Sequence, residues 1–187
     1  MKAVAVTGSF GSGKSTVLKF ARSLRLPSID SDRVVAALYR DPEVKKRLFR
    51  EFGSSSKRGV ALIAFSSPSK RHKLESILHP LAWAEIKNKL SLLKKRGKTL
   101  AFVEVPLLFE AGWQGRFDES VFVKCSRKKC LKRLAAKGFP KEEAVLRFRA
   151  QLPQWKKIKR AQHTIDNNGC LASTGKQVRG LIAKLSS

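Results

Sequence analysis

Ala3-Val4-Ala5-Val6-Thr7-Gly8-Ser9-Phe10-Gly11-Ser12-Gly13-Lys14-Ser15-Thr16 is the stretch from which the rest of the chain can be read. The small and β-branched apolar run Ala3 to Thr7, cut off abruptly by glycine, predicts a short buried strand, and Lys14 to Leu24 predicts a helix. Between them Gly8 to Ser15 fits G-x-x-x-x-G-K-[ST], in the strand-to-helix setting where that pattern has a mechanism. Glycines at these positions let successive backbone N–H groups curl toward phosphate oxygens beside a helix N-terminus. Residues 8 to 16 are therefore expected to bind ATP or GTP, with Lys14 reaching the β and γ phosphates and Ser15 holding magnesium. An ordinary glycine-rich turn, the alternative, has no use for Lys14 and Ser15 at this spacing. The guanine-reading N-K-x-D pattern is absent, because Asn88-Lys89 continues as Leu90-Ser91 within a helical stretch, and a GTPase is disfavoured.

Outward from the loop, apolar runs of strand length recur at Thr99 to Val105 and Ser120 to Cys125, with a weaker one at His163 to Asp166. A short run ending at Ile29 adds the second strand in chain order. Strands alternating with helices predict an α/β fold of three layers, α/β/α, around a mainly parallel five-stranded sheet. Between the first helix and Thr99 the pattern is almost wholly helical: Val34 to Tyr39, Pro42 to Phe52, Val60 to Phe65 and Ser69 to Lys95, with Pro80 a candidate break and Gly53 to Gly59 an exposed loop. That is long for one crossover, so a helical substrate-binding lobe is expected at about 36–96, inserted in a nucleotide-binding core of residues 1–35 and 97–187. The whole, residues 1–187, reads as one domain.

The chain has 187 residues, 42% of them hydrophobic, which excludes a disordered tail protein. Its net charge is +26, divided between residues 1–90 (+11) and 91–187 (+15), so anionic partners are expected: nucleic acid, acidic lipid or phosphorylated metabolites. Lys124 to Arg160 holds fourteen basic and two acidic residues around the Lys137 to Pro140 turn, either a solvated basic face or a lid, at about 126–150, that covers phosphates. Cys125, Cys130 and Cys170 make neither a C-x-x-C pair nor an even set, which argues against a disulfide framework or zinc site. The apolar run at the N-terminus is too short for a signal peptide, and no stretch approaches a transmembrane helix, so no membrane partner and a cytoplasmic location are expected.

Ser28-Ile29-Asp30-Ser31-Asp32 puts two carboxylates at the expected end of the second strand, where an α/β sheet presents its ligands. Such a pair can accept a proton and orient magnesium; the plainer alternative is that Ser31 or Asp32 caps the helix that follows.

With these residues in view the chain resembles the dephospho-coenzyme A kinases, P-loop kinases related to nucleotide kinases. The resemblance is carried by Val6 to Thr16, Ile29-Asp30-Ser31-Asp32, Leu78-His79-Pro80, Pro106-Leu107-Leu108-Phe109-Glu110-Ala111-Gly112, Arg147 to Gln151 and Ile165-Asp166-Asn167-Asn168-Gly169. It implies transfer of the ATP γ-phosphoryl group, with Mg2+, to the ribose 3'-hydroxyl of dephospho-CoA. Asp32 would be the general base and Asp30 would support magnesium or the loop geometry. His79, Pro106, Leu107 and Glu110 would meet the acceptor, Glu110 facing substrate or a lid arginine. Arg133, Lys137 and Arg147 would bring lid charge to ATP, although Lys137 stands where the family usually has arginine and lacks its two-pronged grip. Asn167 and Gly169 would pack against adenine, unless Asn168-Gly169 is a surface turn of type I'. Gln162 replaces a customary acid, and Ser9-Phe10 replaces a common Gly-Ile.

Two other readings compete. Another small-molecule P-loop kinase, acting on a nucleotide or nucleoside, would share the loop but not Leu78-His79-Pro80 or Pro106 to Glu110. A basic nucleic-acid-binding protein rests on charge alone: the chain carries three Trp and one Tyr and no recognised nucleic-acid motif, so only weak, sequence-independent binding is expected. The sequence specifies no oligomeric state.

Overall fold

The computed structural model describes residues 1–64 and 66–186. Strand β1 (Lys2–Gly8) is the middle of a five-stranded sheet ordered β2-β3-β1-β4-β5, where β2 is Ser28–Asp30, β3 Leu100–Glu104, β4 Glu119–Lys124 and β5 His163–Asp166. β1 pairs in parallel with β3 on one side and β4 on the other, and β4 pairs in parallel with β5. Parallel neighbours need long crossovers, supplied here by helices, and burial on both faces explains why these strands read as unbroken apolar runs.

The chain divides into two compact units, residues 1–29 with 93–187, and residues 30–92. In the first, Val4, Val6, Phe102, Val121, Val123 and Ile165 of the sheet pack with Val17, Leu18 and Ala21 of α1 (Lys14–Ser23) and Val178 and Leu185 of α9 (Leu171–Ser186). The spacing of the α1 residues puts them on one helical face. Helices α6 (Arg127–Ala135), α7 (Lys141–Arg149) and α8 (Gln154–Arg160) form the basic segment, and the connection 136–140 contains the turn expected at Lys137 to Pro140.

The second unit has its own core. Val44, Leu48 and Phe52 of α3 (Pro42–Phe52) meet Val60 and Ala64 of α4 (Lys57–Ala64) and Leu74, Ile77 and Leu78 of α5 (Pro68–Lys95); α2 (Ser31–Leu38) precedes them. The bounds of α3 follow from local chemistry. Asp41 Oδ1 accepts from the N–H groups of Glu43 (2.9 Å) and Val44 (3.2 Å), Pro42 occupies the first turn, and Gly53 ends the helix in the left-handed region at φ 66°.

Two expectations are corrected here. α5 is continuous through Pro80, because the proline lies on the exposed side while Leu74, Ile77, Leu78, Ala82, Ile86 and Leu90 keep both halves buried. The predicted 53–59 loop is only 53–56: Ser56 Oγ accepts from Gly59 N (3.0 Å) and starts α4 at Lys57. The last residue of the predicted 60–65 helix, Phe65, lies outside the described residues. Among the described residues no helix is long and apolar enough to cross a membrane.

Candidate active site

The strand order puts two loops side by side in the first unit: the Gly8–Thr16 loop after β1 and the Pro106–Gly112 loop after β3. Val105 N donates to Val6 O (2.9 Å), and Thr7 Oγ1 donates to Pro106 O (3.3 Å). The phosphate loop runs directly into α1, whose cap residue Gly13 supplies no side-chain hydrogen bond and whose first turn carries no acid. The positive end of the helix is thus left without a side-chain cap or a neighbouring acid, a setting that favours an anion. Lys14 is 7% exposed, with Nζ donating to Gly8 O (3.3 Å) and Ser9 O (3.4 Å), so the ammonium lies across the loop. Ser15 is exposed at the start of the helix.

The loop is braced from beneath by residues far away in sequence. Asn167, 1% exposed, donates from Nδ2 to Ser12 O (2.7 Å), while its Oδ1 accepts from Thr174 Oγ1 (2.9 Å). Arg133 donates from one nitrogen to Ser12 O (3.1 Å) and from the other to Asn167 O (3.0 Å). Gly13 has φ 95°, and a Cβ there would collide with the Asn167 amide, so this position requires glycine for conformation and for space. A buried carbonyl stripped of such donors costs about 1–3 kcal/mol. The side chain of Asn167, expected to serve adenine through backbone groups, is thereby assigned to the loop, and the guanidinium of Arg133 lies beneath it. Neither Asn168 nor Gly169 has positive φ, which excludes the type I' turn: β5 is a parallel strand and needs no hairpin. The backbone N–H of Asn168 holds the Asp166 carboxyl below its ordinary value of 3.8, helped by the Asn168 amide and Lys124.

Above the loop lies the α6–α7 segment. The guanidinium of Arg147 stacks over the Phe10 ring (4.6 Å) and the Phe139 ring (5.6 Å), and the two rings meet edge to face at 5.2 Å. Glu143 Oε1 accepts from Arg147 at 2.6 Å, and Gln151 Oε1 accepts from Phe10 N at 3.1 Å. Phe139 and Gln151 had no assigned role in the sequence. Gln151 was visible only as the end of Arg147 to Gln151, and nothing local marks Phe139 as a neighbour of the loop. Lys137 is exposed at the end of α6.

Glu110 does not face a lid arginine. Its Oε1 lies 2.6 Å from Nζ of Lys157, whose side chain is fully buried, and accepts from Leu152 N at 2.9 Å. Breaking such a buried pair from one side costs about 3–5 kcal/mol. The pair ties the loop after β3 to α8, and the Leu152 N–H bond ties it to the chain leaving α7, next to Gln151. Pro106 is half-buried, Leu107 is exposed, and Leu108 and Phe109 are core. Gln162 accepts from Ser120 Oγ (2.7 Å) and donates to Asp118 O (3.2 Å), joining the starts of β4 and β5.

In the helical unit the cap of α2 is Asp30, not Ser31 or Asp32. Its Oδ1 accepts from Asp32 N (2.9 Å) and Arg33 N (3.2 Å). That fixes Asp32 in the first helical turn, with its side chain exposed. His79 lies half-buried within the unbroken α5.

The sequence model of dephospho-CoA kinase matches residues 2–173. The chain belongs to the dephospho-CoA kinase family. A dephospho-CoA kinase of Thermus thermophilus is 35% identical over 98% of this chain and 91% of its own length. The crystal structure of TT1252 from Thermus thermophilus, 34% identical, superposes with a TM-score of 0.88 over 100% of this chain and 98% of that one. The dephospho-CoA kinase from Campylobacter jejuni, 27% identical, covers 98% of this chain and 96% of its own with a TM-score of 0.72.

Proposed function

We propose that this chain transfers the γ-phosphoryl group of ATP to the ribose 3'-hydroxyl of dephospho-CoA, giving coenzyme A and ADP, in the cytoplasm. The observation that carries the reading is a braced Gly8–Thr16 loop opening an uncapped, acid-free helix, in a chain whose family is matched over residues 2–173.

The loop amides and Lys14 take the β and γ phosphates and neutralise charge as the bond to the leaving oxygen lengthens. Asp32 orients the acceptor hydroxyl and accepts its proton late; a loose transition state asks little basicity of it. Asp30, as the cap, fixes the turn that presents Asp32. Arg147, steadied by Phe10, Phe139 and Glu143, brings positive charge over the loop rim, Lys137 adds a further cation, and closure of this segment excludes water that would otherwise hydrolyse ATP. The helical unit takes the acceptor, with His79 as a contact; Pro106 and Leu107 offer it an apolar edge, while Asn167 and Gly169 back the nucleotide.

Magnesium suits this donor set. Among the described residues no cluster of three His, Cys, Asp or Glu could cage a metal, and Mg2+ with a nucleotide needs few protein ligands beside phosphate oxygens and water. Ser15 supplies one such hydroxyl, with Asp30 a second candidate. Bound there, the ion would offset phosphate charge.

The test is direct: protein, Mg-ATP and dephospho-CoA should yield coenzyme A and ADP in equal amounts. Phosphorylation of nucleosides or nucleotides with dephospho-CoA untouched would favour the other small-molecule kinases.

A further inference from the structure

The kinase reading leaves the +26 charge without a use, and the structure gives that charge a focal point on α8. Its sequence, Gln154 to Arg160, carries Lys156, Lys157, Lys159 and Arg160 and no acid. Lys157 turns inward to Glu110 and Arg160 lies over the core ring of Phe109 (4.9 Å), which leaves Lys156 and Lys159 on the outer face. Trp155, by contrast, is 57% exposed, whereas Trp113 is 5% exposed and Trp83 half-buried. The ammonium groups of Lys156 and Lys159 lie 5.4 and 5.5 Å from the Trp155 ring centroid.

We propose that this face of α8 binds single-stranded nucleic acid, with a base stacked on Trp155 and the flanking phosphates taken by Lys156 and Lys159. An indole presented among cations matches the alternation of flat base and anionic phosphate along a single strand. A duplex hides its base faces and would gain nothing from the ring. A lipid surface needs a broader apolar face, and the exposed positions beside Trp155 on this helix are charged instead. Ring stacking and phosphate contacts read no base edge, so binding through them is sequence-tolerant and accepts RNA and DNA alike. It leaves the phosphate loop free.

Titration of the full chain with poly(U) and poly(dT), followed by tryptophan fluorescence and anisotropy, tests this. Quenching is expected for both, and Trp155→Ala should weaken binding about tenfold and remove most of the quench. Trp155→Phe should restore most of the affinity. Changing Lys156 and Lys159 together to Gln should flatten the slope of log affinity against log salt by about 1.4. Saturating Mg-ATP should leave polymer binding intact, and every variant should phosphorylate dephospho-CoA at the wild-type rate. Failure of that kinase control in the wild type would count against the kinase reading alone. Equal affinity for Trp155→Ala, loss of polymer binding on adding Mg-ATP, or binding to phosphatidylglycerol vesicles without binding to either polymer would each overturn the proposal.

Discussion

The phosphate loop and the Asp30–Asp32 turn are both short, both follow a strand and both open a helix, yet they are stabilised in opposite ways. The turn is self-contained: Asp30 caps residues two and three positions ahead. The loop owes its shape to glycine locally, but its Ser12 carbonyl is pinned by donors 121 and 155 positions away. A locally fixed turn can present one side chain whatever surrounds it. A glycine-rich loop has few side chains of its own to hold it and, beside its Ser12 N to Ser9 O bond (3.0 Å), depends on outside bracing.

The sharpest way to probe the contrast is to remove the one charged side chain in the loop. Lys14→Ala should lower turnover about a thousandfold with the fold intact by circular dichroism; near-normal turnover would remove Lys14 from the mechanism. On the other side of the comparison, Asp32→Asn should cost roughly a hundredfold in turnover while ATP affinity, measured by calorimetry, stays close to wild type. If ATP binding collapsed instead, Asp32 would belong with magnesium.

The bracing itself can be compared next. Asn167→Ala should weaken ATP binding about tenfold and lower stability by about 1–3 kcal/mol, since Ser12 O and Thr174 Oγ1 both lose a partner. Asp30→Asn keeps a cap and should leave stability and Mg-ATP affinity almost unchanged; a raised magnesium requirement in that variant would return Asp30 to the metal site. An effect confined to alkaline pH is expected from Cys130, beneath the loop, whose thiol is pushed up to about 12 by burial and then by Cys125, against Arg133 and Lys14. The unfolded chain loses that proton near the ordinary 9.0 and the folded chain near 12, so this contribution is whole below pH 9 and drains away as pH rises toward 12. Melting temperatures of wild type and Cys130→Ala should therefore run parallel below pH 9 and converge above it.

Much of this molecule is legible in its sequence. The loop and the sheet could be read because a glycine-rich bend, a buried parallel strand and a capped helix each impose residue types within a few positions. The ends of α3 are written in Asp41, Pro42 and Gly53, and the loop in Gly13 and Lys14. Pro80 misled because an exposed proline in a helix buried along its opposite side does not end it. The partner of Glu110 was not legible because Lys157 looks like any other lysine of a basic segment until the fold buries it.

Sequence alone therefore determined the glycine-built cradle between the first strand and the first helix, since backbone conformation there is a local demand. Tertiary structure decided that Asn167 and Arg133 brace that cradle, that Phe10 and Phe139 flank Arg147, and that a buried lysine anchors Glu110. These pairings depend on the order β2-β3-β1-β4-β5, and in a parallel sheet every crossover leaves that order to long-range packing.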